Sequence, residues 1–133
     1  MSEYIKPLPK PTATSRPFWE AARNHELMLQ RCGACSKFIY YPRDRCPYCF
    51  SDNLSWNRVS GRGTLYSYTV VHRASSRAFA DAPYVLAIVE LDEGPRMTTN
   101  IVAPPADLKV GMPVVAFFDD VAPGHTLVKF KPA

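Results

Sequence analysis

The sequence predicts a mostly β protein with a short N-terminal helix, a small metal-held module and a five-stranded barrel. Three observations support this fold class. All four cysteines of the 133-residue chain lie in two close pairs between residues 32 and 49. Five runs rich in β-branched and aromatic residues follow residue 63 and are separated by turn residues. Apolar residues at helical spacing occur near the N-terminus, in "SRPFWEAARNHE".

Composition indicates a globular protein, with 47% hydrophobic and 21% charged residues. There is no run of 18 apolar residues to span a bilayer, and the N-terminal stretch has no apolar segment typical of a secretion signal. We therefore expect a cytoplasmic protein without a membrane segment. In that reducing compartment, closely paired cysteines bind metal more often than they form disulfides.

The charge is uneven along the chain, whose net charge is +4. Residues 1–62 carry ten Lys or Arg and five Asp or Glu, whereas residues 63–133 carry six and seven. A basic front half suits a phosphate-bearing partner, such as nucleic acid or a nucleotide-like cofactor. It equally suits an ordinary solvated surface.

Residues 1–15 contain Pro7, Pro9 and Pro11 and few side chains that could pack. This composition favours an extended, polyproline-like segment over a folded element. We expect a proline-rich arm that is either disordered or wrapped around a partner.

The helix predicted after the arm has Ser15 as its candidate cap and Pro17 in its first turn. Phe18, Trp19 and Ala22 are spaced closely enough to share one face. Because a helix of about three turns is not stable alone, this face is expected to dock on the following module or on another chain.

The two C-x-x-C pairs are separated by ten residues. Each pair can form a knuckle whose backbone amides point at the sulfurs, and two knuckles supply four thiolates at tetrahedral corners. The predicted ligands of one structural zinc are Cys32, Cys35, Cys46 and Cys49. An iron site of the rubredoxin type would use the same four sulfurs and stays open.

A redox dithiol is the competing interpretation, but it needs one pair at the start of a helix within a βαβ unit. Neither pair has that setting. Cysteine fills all four metal positions, which leaves none for a substrate or an activated water, so the metal is expected to be structural. Gly33 and Pro47 suit the tight turns, and the few apolar residues nearby require such a metal staple.

The five predicted strands are "TLYSYTVVHR", "YVLAIVEL", "RMTTNIVA", "PVVAFFDDV" and "TLVKFK". Gly94 and Pro95 mark a tight turn between the second and third, and Gly61 and Gly63 a bend at the start of the first. A longer connection after the third strand favours a closed barrel of the oligonucleotide/oligosaccharide-binding (OB) type, because closure removes exposed edges. An open sandwich is the alternative. The predicted domains are an arm (1–15), helix plus ribbon (16–56) and barrel (57–133).

Catalytic motifs such as a nucleophile elbow, a P-loop or a dinucleotide fingerprint do not occur in the sequence. Three histidines and two acid pairs are the titratable groups considered: His25, His72, His125, Asp92/Glu93 and Asp119/Asp120. The histidines have no carboxylate or serine at a motif spacing. Neighbouring acids on a strand point to opposite faces and cannot share one substrate. We predict no catalytic residue, so an enzyme activity would need residues from another chain.

The whole layout resembles a known family, the acyl-CoA-associated OB-fold proteins with an N-terminal rubredoxin-like zinc ribbon, grouped as a domain of unknown function. The resemblance covers about residues 15–132. It is carried by "PFWEAARNHELMLQRCGAC", "YYPRDRCPYC", the Trp at position 56 followed by "VSGRGTLYSYTVVHR", "PYVLAIVELDEGPRMTTNIV" and "GMPVVAFF". The helix, both knuckles and the S-G-R-G-T junction occur in the family's order.

The resemblance implies a non-catalytic accessory subunit that supports acyl-CoA binding and complex assembly. Its partner would be a larger thiolase-like, aldolase-like or hydratase-like subunit. The thiolase-like class here comprises thiolases and acyltransferases of the thiolase fold. The same four cysteines would be the metal ligands. Basic residues near the ribbon and junction are candidates to meet coenzyme A phosphates: Lys37, Arg43, Arg45 and Arg62. Phe18 and Trp19 are candidates for the partner interface.

Nucleic-acid binding is the alternative function, because zinc ribbons and OB barrels both serve it elsewhere. It predicts aromatic residues interleaved with Lys or Arg on the second and third barrel strands. Those strands and their turn carry Glu90, Asp92 and Glu93 instead, which would repel phosphate. A self-associating module whose helix covers its own barrel is a further alternative to a hetero-oligomer.

Overall fold

The computed structural model describes residues 6–73 and 83–133, and it has the predicted fold class. One α-helix, one short 3-10 helix and eight strands occur in this part of the chain. The α-helix and the strands are α1 (Arg16–Arg23), β1 (Met28–Cys32), β2 (Phe38–Ile39), β3 (Leu54–Arg58), β4 (Arg62–Val71), β5 (Tyr84–Leu91), β6 (Arg96–Ile101), β7 (Pro113–Ala122) and β8 (His125–Pro132). No described helix has the length and apolarity needed to cross a membrane.

The structure does not describe residues 1–5 and 74–82. The predicted arm and the predicted turn "DAP" between the first two barrel strands therefore lie partly outside the described residues. From residue 6 to the start of α1 the arm has no helix or strand. Thr14 donates its hydroxyl to Asp44 at 2.6 Å, which ties the end of the arm to the loop before the second knuckle. The described part of the arm therefore follows the surface of its own chain.

Helix α1 has Pro17 in its first turn and buries Phe18 and Ala22, as predicted. The structure confirms Ser15 as the N-cap residue but shows no cap made by its side chain. Ser15 stands at the cap position but makes no side-chain hydrogen bond to the helix, because its Oγ accepts the backbone N–H of Thr12 at 2.9 Å. The helix is also shorter than the pattern predicted, since His25 adopts a φ of 60°.

The ribbon is a three-stranded antiparallel sheet in the order β2-β1-β3. In the central strand β1, Leu29 belongs to the large core shared with the barrel, whereas Cys32 belongs to a separate small cluster beside the knuckles. One end of the ribbon sheet therefore packs in the core shared with the barrel, and the other end packs beside the knuckles. Strand β3 continues to Arg58, two residues past the predicted end of the ribbon at residue 56.

The barrel is closed, with strand order β4-β5-β6-β8-β7. Strand β4 pairs antiparallel with both β5 and β7, so the open sandwich is wrong. Strands β6 and β8 pair in parallel at Ile101 and Phe130. A short 3-10 helix, Pro105–Asp107, lies in the longer connection that the sequence indicated. This is the OB-type barrel that the strand pattern predicted.

Alternating side chains of the barrel strands fill its interior, as expected for strands with one buried face. Leu65, Val89 and Phe130 are fully buried, and Phe18 of the helix joins the same cluster. Gly63 is required by close packing, since a Cβ there would lie 2.5 Å from the carbonyl oxygen of Glu90. The base of the ribbon, the helix and the barrel therefore share one core.

Candidate metal centre

The four cysteine sulfurs lie within 4.8 Å of one another. The Sγ atoms of Cys32 and Cys49 are 3.6 Å apart, and those of Cys35 and Cys46 are also 3.6 Å apart. A tetrahedral ion with metal–sulfur bonds of about 2.3 Å needs sulfurs about 3.8 Å apart. All four cysteines are free of disulfide bonds. The sulfurs thus lie close enough together to bind one tetrahedral metal ion.

Backbone N–H groups point at the sulfurs and stabilise the thiolate form. The N–H of Cys35 donates to Cys32 Sγ at 3.4 Å, and this hydrogen bond is the main reason that the pKa of Cys32 is lowered to about 6. In the second knuckle the N–H of Tyr48 donates to Cys46 Sγ at 3.4 Å. Burial alone would raise the pKa of Cys46, but the N–H groups of Tyr48 and Cys49 and the neighbouring thiols lower it.

Cys49 holds its proton more strongly than Cys32 and Cys46 do, as its raised pKa shows. The N–H of Ser51 lowers the pKa of Cys49, but the thiol of Cys32, burial and the other two thiols together raise it to about 12. Four sulfurs this close cannot all become thiolates unless a cation offsets their charge. The donor set therefore fits a metal cation chemically as well as geometrically. Cys32 and Cys46 are fully buried, which closes the site on the side of the protein.

The two knuckles have the same backbone geometry. The N–H of Ser36 donates to the carbonyl of Cys32 at 2.8 Å, and the N–H of Phe50 donates to the carbonyl of Cys46 at 2.9 Å. Ser36 has a φ of 66° and Phe50 a φ of 64°, so each knuckle ends in a left-handed residue that is not glycine. Neither residue was singled out from the sequence.

Gly33 serves the first knuckle through close packing rather than through a positive φ. Its N–H donates to the carbonyl of Asn53 at 2.8 Å. A Cβ at position 33 would lie 2.4 Å from the Asn53 side-chain nitrogen. A larger residue at position 33 would therefore have to displace the exposed Asn53 side chain.

Gln30 supports the site and was missed by the sequence reasoning. Its side chain is buried and holds the backbone of Arg43 at both ends. The amide nitrogen donates to the Arg43 carbonyl at 2.7 Å, and the amide oxygen accepts the Arg43 N–H at 2.7 Å. This clamp ties the loop before the second knuckle to β1. The available signal was a polar residue in β1 midway between Met28 and Cys32, the two apolar residues on the same face of the strand.

The four predicted phosphate contacts lie in two regions. Lys37 places its Nζ 4.6 Å from the centre of the Tyr48 ring, and Arg45 donates to the carbonyl of Phe50 at 3.3 Å. Arg62 begins β4 in the barrel. Among residues 6–73 and 83–133, the side chains of Arg43 and Arg62 take part in no hydrogen bond or ion pair.

The two predicted interface aromatics differ in exposure. Phe18 is packed inside its own chain with 2% of its surface exposed, and its ring meets Trp19 edge-on at 5.0 Å. Trp19 is half-buried and donates its indole N–H to the Tyr41 hydroxyl at 3.0 Å. It also lines a cavity of about 180 Å³ between the helix, β6 and β8. Trp19 is therefore the one of the pair that reaches the surface.

Of the titratable groups considered for catalysis, His25 and Asp120 contact each other. The His25 ring stacks on Phe118 with centroids 5.4 Å apart, and its Nε2 lies 3.1 Å from Asp120. The Thr126 hydroxyl donates to Asp120 at 2.6 Å. This hydrogen bond first, and the one from His25 second, lower the pKa of Asp120. These contacts join the end of α1 to the barrel.

The outer face of the barrel bears on the nucleic-acid alternative. Tyr66 is 45% exposed on β4, but the guanidinium of Arg96 lies 3.8 Å from its ring centre. Arg96 also pairs with Glu90 at 3.1 Å. The exposed aromatic ring and the nearby cation are thus already engaged with each other and with an acid, which leaves little for stacking a base or holding a phosphate.

Two family profiles match the chain in succession. Residues 19–55 match the rubredoxin-like zinc ribbon domain of ChsH2, and residues 56–119 match the C-terminal OB-fold domain of ChsH2. The two matches meet within β3, close to where the ribbon gives way to the barrel.

Relatives with similar sequences come from bacteria and archaea. A Thermomonospora curvata protein named probable enoyl-CoA hydratase alpha subunit is 42% identical over 118 residues, 87% of this chain and 37% of the relative. The chain therefore spans little more than a third of that relative. A Methanocaldococcus jannaschii protein named DUF35 domain-containing scaffold protein is 40% identical over 94 residues, 69% of this chain and 67% of the relative.

A solved structure described as an Ltp2-ChsH2(DUF35) aldolase contains a chain with the same fold. The TM-score is 0.83 at 38% sequence identity, and the match covers 93% of this chain and 98% of that one. Together with the scaffold relative, whose likeness spans most of both chains, this match shows common descent from ribbon to barrel. The chain belongs to the DUF35 family.

Proposed function

We propose that this chain is a non-catalytic accessory subunit of an acyl-CoA-processing complex. It would bind a larger thiolase-like, aldolase-like or hydratase-like subunit, supporting assembly and acyl-CoA binding there. The observation that carries the proposal is the match to the DUF35 chain of an aldolase structure, which covers nearly the whole of both chains. The names of two relatives, a hydratase subunit and a scaffold protein, agree with it.

The chemistry of the four-cysteine site favours an accessory role over a catalytic one. A centre whose four positions are filled by cysteine has none left for a substrate or an activated water. The His25 and Asp120 side chains, which could in principle exchange protons, are engaged with each other, Phe118 and Thr126. Catalytic groups would come from the larger subunit.

Affinity purification from the source cells, followed by mass spectrometry, tests the proposal. We expect a thiolase-like, aldolase-like or hydratase-like protein in stoichiometric amount. Recovery of the chain alone, or of the chain with nucleic acid, would contradict it. A gel shift with random DNA and RNA at low salt checks the nucleic-acid alternative separately, and no binding is expected.

The metal is proposed to be zinc, held by Cys32, Cys35, Cys46 and Cys49, and iron is the alternative for the same donors. When bound, the ion supplies the charge that keeps four neighbouring thiolates together and closes the ribbon. A reducing compartment preserves such thiolates, so we place the protein in the cytoplasm. Elemental analysis should give close to one zinc per chain, and knuckles that stay ordered in metal-free protein would contradict the assignment.

Arg43 and Arg62 are the better candidates to meet the phosphates of coenzyme A, because their side chains are not held within the described residues. Lys37 and Arg45 are secondary candidates, since each is already engaged at the second knuckle. A divalent ion with four thiolates has a net charge of about −2, and nearby cations also offset this charge. Charge reversal of these residues separates the two roles. If a residue meets coenzyme A, its reversal lowers the acyl-CoA affinity of the complex. If it offsets the charge of the metal site, its reversal lowers metal retention.

The remaining proposals concern the layout of the chain and its partner surface. We propose the division into an arm (1–15), helix plus ribbon (16–56) and barrel (57–133). Support comes from the described sheets, since the ladders of β1 to β3 are separate from those of the barrel.

Trp19 is proposed as a partner contact because it is only half-buried, whereas Phe18 lies in the core and would act by holding the helix in place.

A further inference from the structure

The end of the second knuckle combines an unfavourable backbone with a large side chain. Phe50 has a φ of 64°, in the left-handed region. Residues with a Cβ are disfavoured there, and glycine takes the same conformation without strain. The equivalent residue of the first knuckle, Ser36, has nearly the same φ of 66° but a small polar side chain. The fold of a knuckle therefore does not require an aromatic residue at this position.

The Phe50 side chain is exposed rather than packed. It is 73% exposed, the highest value among the exposed large hydrophobic side chains of the described residues, and Tyr48 beside it is 54% exposed. The small cluster that packs the ribbon contains Cys32, Ile39 and Cys46, with Cys35 and Leu54 against it. Neither exposed ring belongs to that cluster. A largely exposed aromatic residue in a strained backbone conformation is typical of a functional contact.

Two cations border these rings. Lys37 lies over the Tyr48 ring at 4.6 Å, and Arg45 reaches the carbonyl of Phe50 at 3.3 Å. Within residues 6–73 and 83–133 neither cation takes part in a salt bridge. The surface is therefore apolar at its centre and positive at its edge. A second copy of the same surface would meet it with the same charge, whereas a carboxylate-edged pocket would complement it.

We infer that Phe50, with Tyr48 beside it, is the anchor by which the ribbon docks into an apolar, carboxylate-edged pocket on the larger enzyme subunit. This inference rests on the proposed function and specifies the contact surface. Aromatic side chains that fill a pocket on the partner carry a large share of interface energies, and surrounding charges set orientation and association rate. Lys37 and Arg45 provide those charges, and the Phe50 backbone strain is offset when its ring is buried by the partner.

The test compares Phe50→Gly with Ser36→Gly, which removes the same backbone strain from the first knuckle. The probe is the larger subunit separated from the purified wild-type complex and titrated against each variant. We expect Phe50→Gly to bind at least about 10-fold more weakly and Ser36→Gly to bind like the wild type. As isolated chains, both variants should melt no lower than the wild type and should retain the same metal content.

Three results would overturn the inference while leaving the proposed function intact. Phe50→Gly could bind the larger subunit as tightly as the wild type. It could instead lose metal or melt earlier, which would make Phe50 a structural residue. Both glycine variants could weaken binding equally, which would assign the effect to knuckle rigidity.

Two further results would also overturn it and are separable from these. Failure of the wild-type chain to bring down any acyl-CoA enzyme subunit would refute the proposed function and this inference together. A wild-type dimer that dissociates in Phe50→Gly would identify a second copy as the occupant of this surface. Sedimentation of the isolated chains measures that outcome directly.

Discussion

The ribbon and the barrel of this protein are stabilised in different ways. In the barrel, five strands close on themselves and bury an apolar interior that includes Leu65, Val89 and Phe130. The knuckle end of the ribbon buries only Cys32, Ile39 and Cys46 as a cluster. So small a core cannot stabilise a module by the hydrophobic effect alone. The barrel is therefore stabilised by a hydrophobic core, which it shares with the helix and the base of the ribbon, whereas the knuckles depend on the charge and geometry of a bound ion.

The two regions are nevertheless joined along one sheet. Leu29 of β1 and Phe18 of α1 belong to the barrel's cluster, whereas Cys32 at the end of the same strand belongs to the knuckles. The boundary between metal-dependent and metal-independent stability thus runs through β1. We expect the base of the ribbon to behave like the barrel and its knuckles to behave like a zinc-finger peptide.

Loss of the metal should have the largest effect and should be confined to the knuckles. Removal by a chelator, or the change Cys46→Ser, forfeits binding free energy of roughly 10–16 kcal/mol in comparable peptides. Hydrogen exchange should become fast around the knuckles and stay slow at Val89 and Leu29. Loss of protection throughout the barrel would show that the two regions are one cooperative unit.

Truncation of the barrel core should have the converse effect. Phe130 is fully buried, so Phe130→Ala should lower the free energy of unfolding by about 3–5 kcal/mol. Urea denaturation measures this loss, and metal content per chain should not change. The control is Val110→Ala at a 67% exposed position, where a change within about 0.5 kcal/mol is expected. Metal loss in the Phe130 variant would contradict independent stabilisation.

The helix between the regions offers a third comparison. Trp19→Ala should weaken the complex with the larger subunit by roughly 2 kcal/mol or more if its side chain is an interface anchor. Phe18→Ala should instead lower the melting temperature of the isolated chain, because Phe18 is buried in the shared core. Titration calorimetry and thermal melts on the same two variants separate these roles. A melting loss in the Trp19 variant with unchanged affinity would assign Trp19 to the core.

The smallest expected effect is a pH dependence of stability at the contact between His25, just after α1, and Asp120 of β7. The hydrogen bond from Thr126, followed by that from His25, lowers the pKa of Asp120 from its ordinary value of 3.8. A carboxyl with a lowered pKa in the fold stabilises it above pH about 4 and loses this effect as pH falls through the folded value. Asp120→Asn should be slightly less stable than the wild type at neutral pH, and the difference should shrink in acid. A difference that grows in acid would contradict the assignment.

Local patterns made much of this architecture predictable from the sequence. The spacing of the cysteines predicted the metal site because two short loops determine where four sulfurs meet, and β-branched runs predicted the barrel strands. Contacts between distant residues were less accessible. Ser15 is the N-cap residue, but its side chain accepts a hydrogen bond from Thr12 instead of capping the helix. The Gln30 clamp depends on a loop 13 residues away. The positive φ of Phe50 could not be foreseen, because a left-handed backbone is usually indicated by a glycine and this residue is a phenylalanine.

We propose that this chain assists an acyl-CoA enzyme without carrying out catalysis itself. The most direct test of this proposal is the turnover of acyl-CoA thioesters by the purified chain, by the larger subunit and by the reassembled complex. We predict background rates for the chain alone and substantially higher turnover for the complex than for the larger subunit alone. Robust turnover by the chain without a partner would contradict the account.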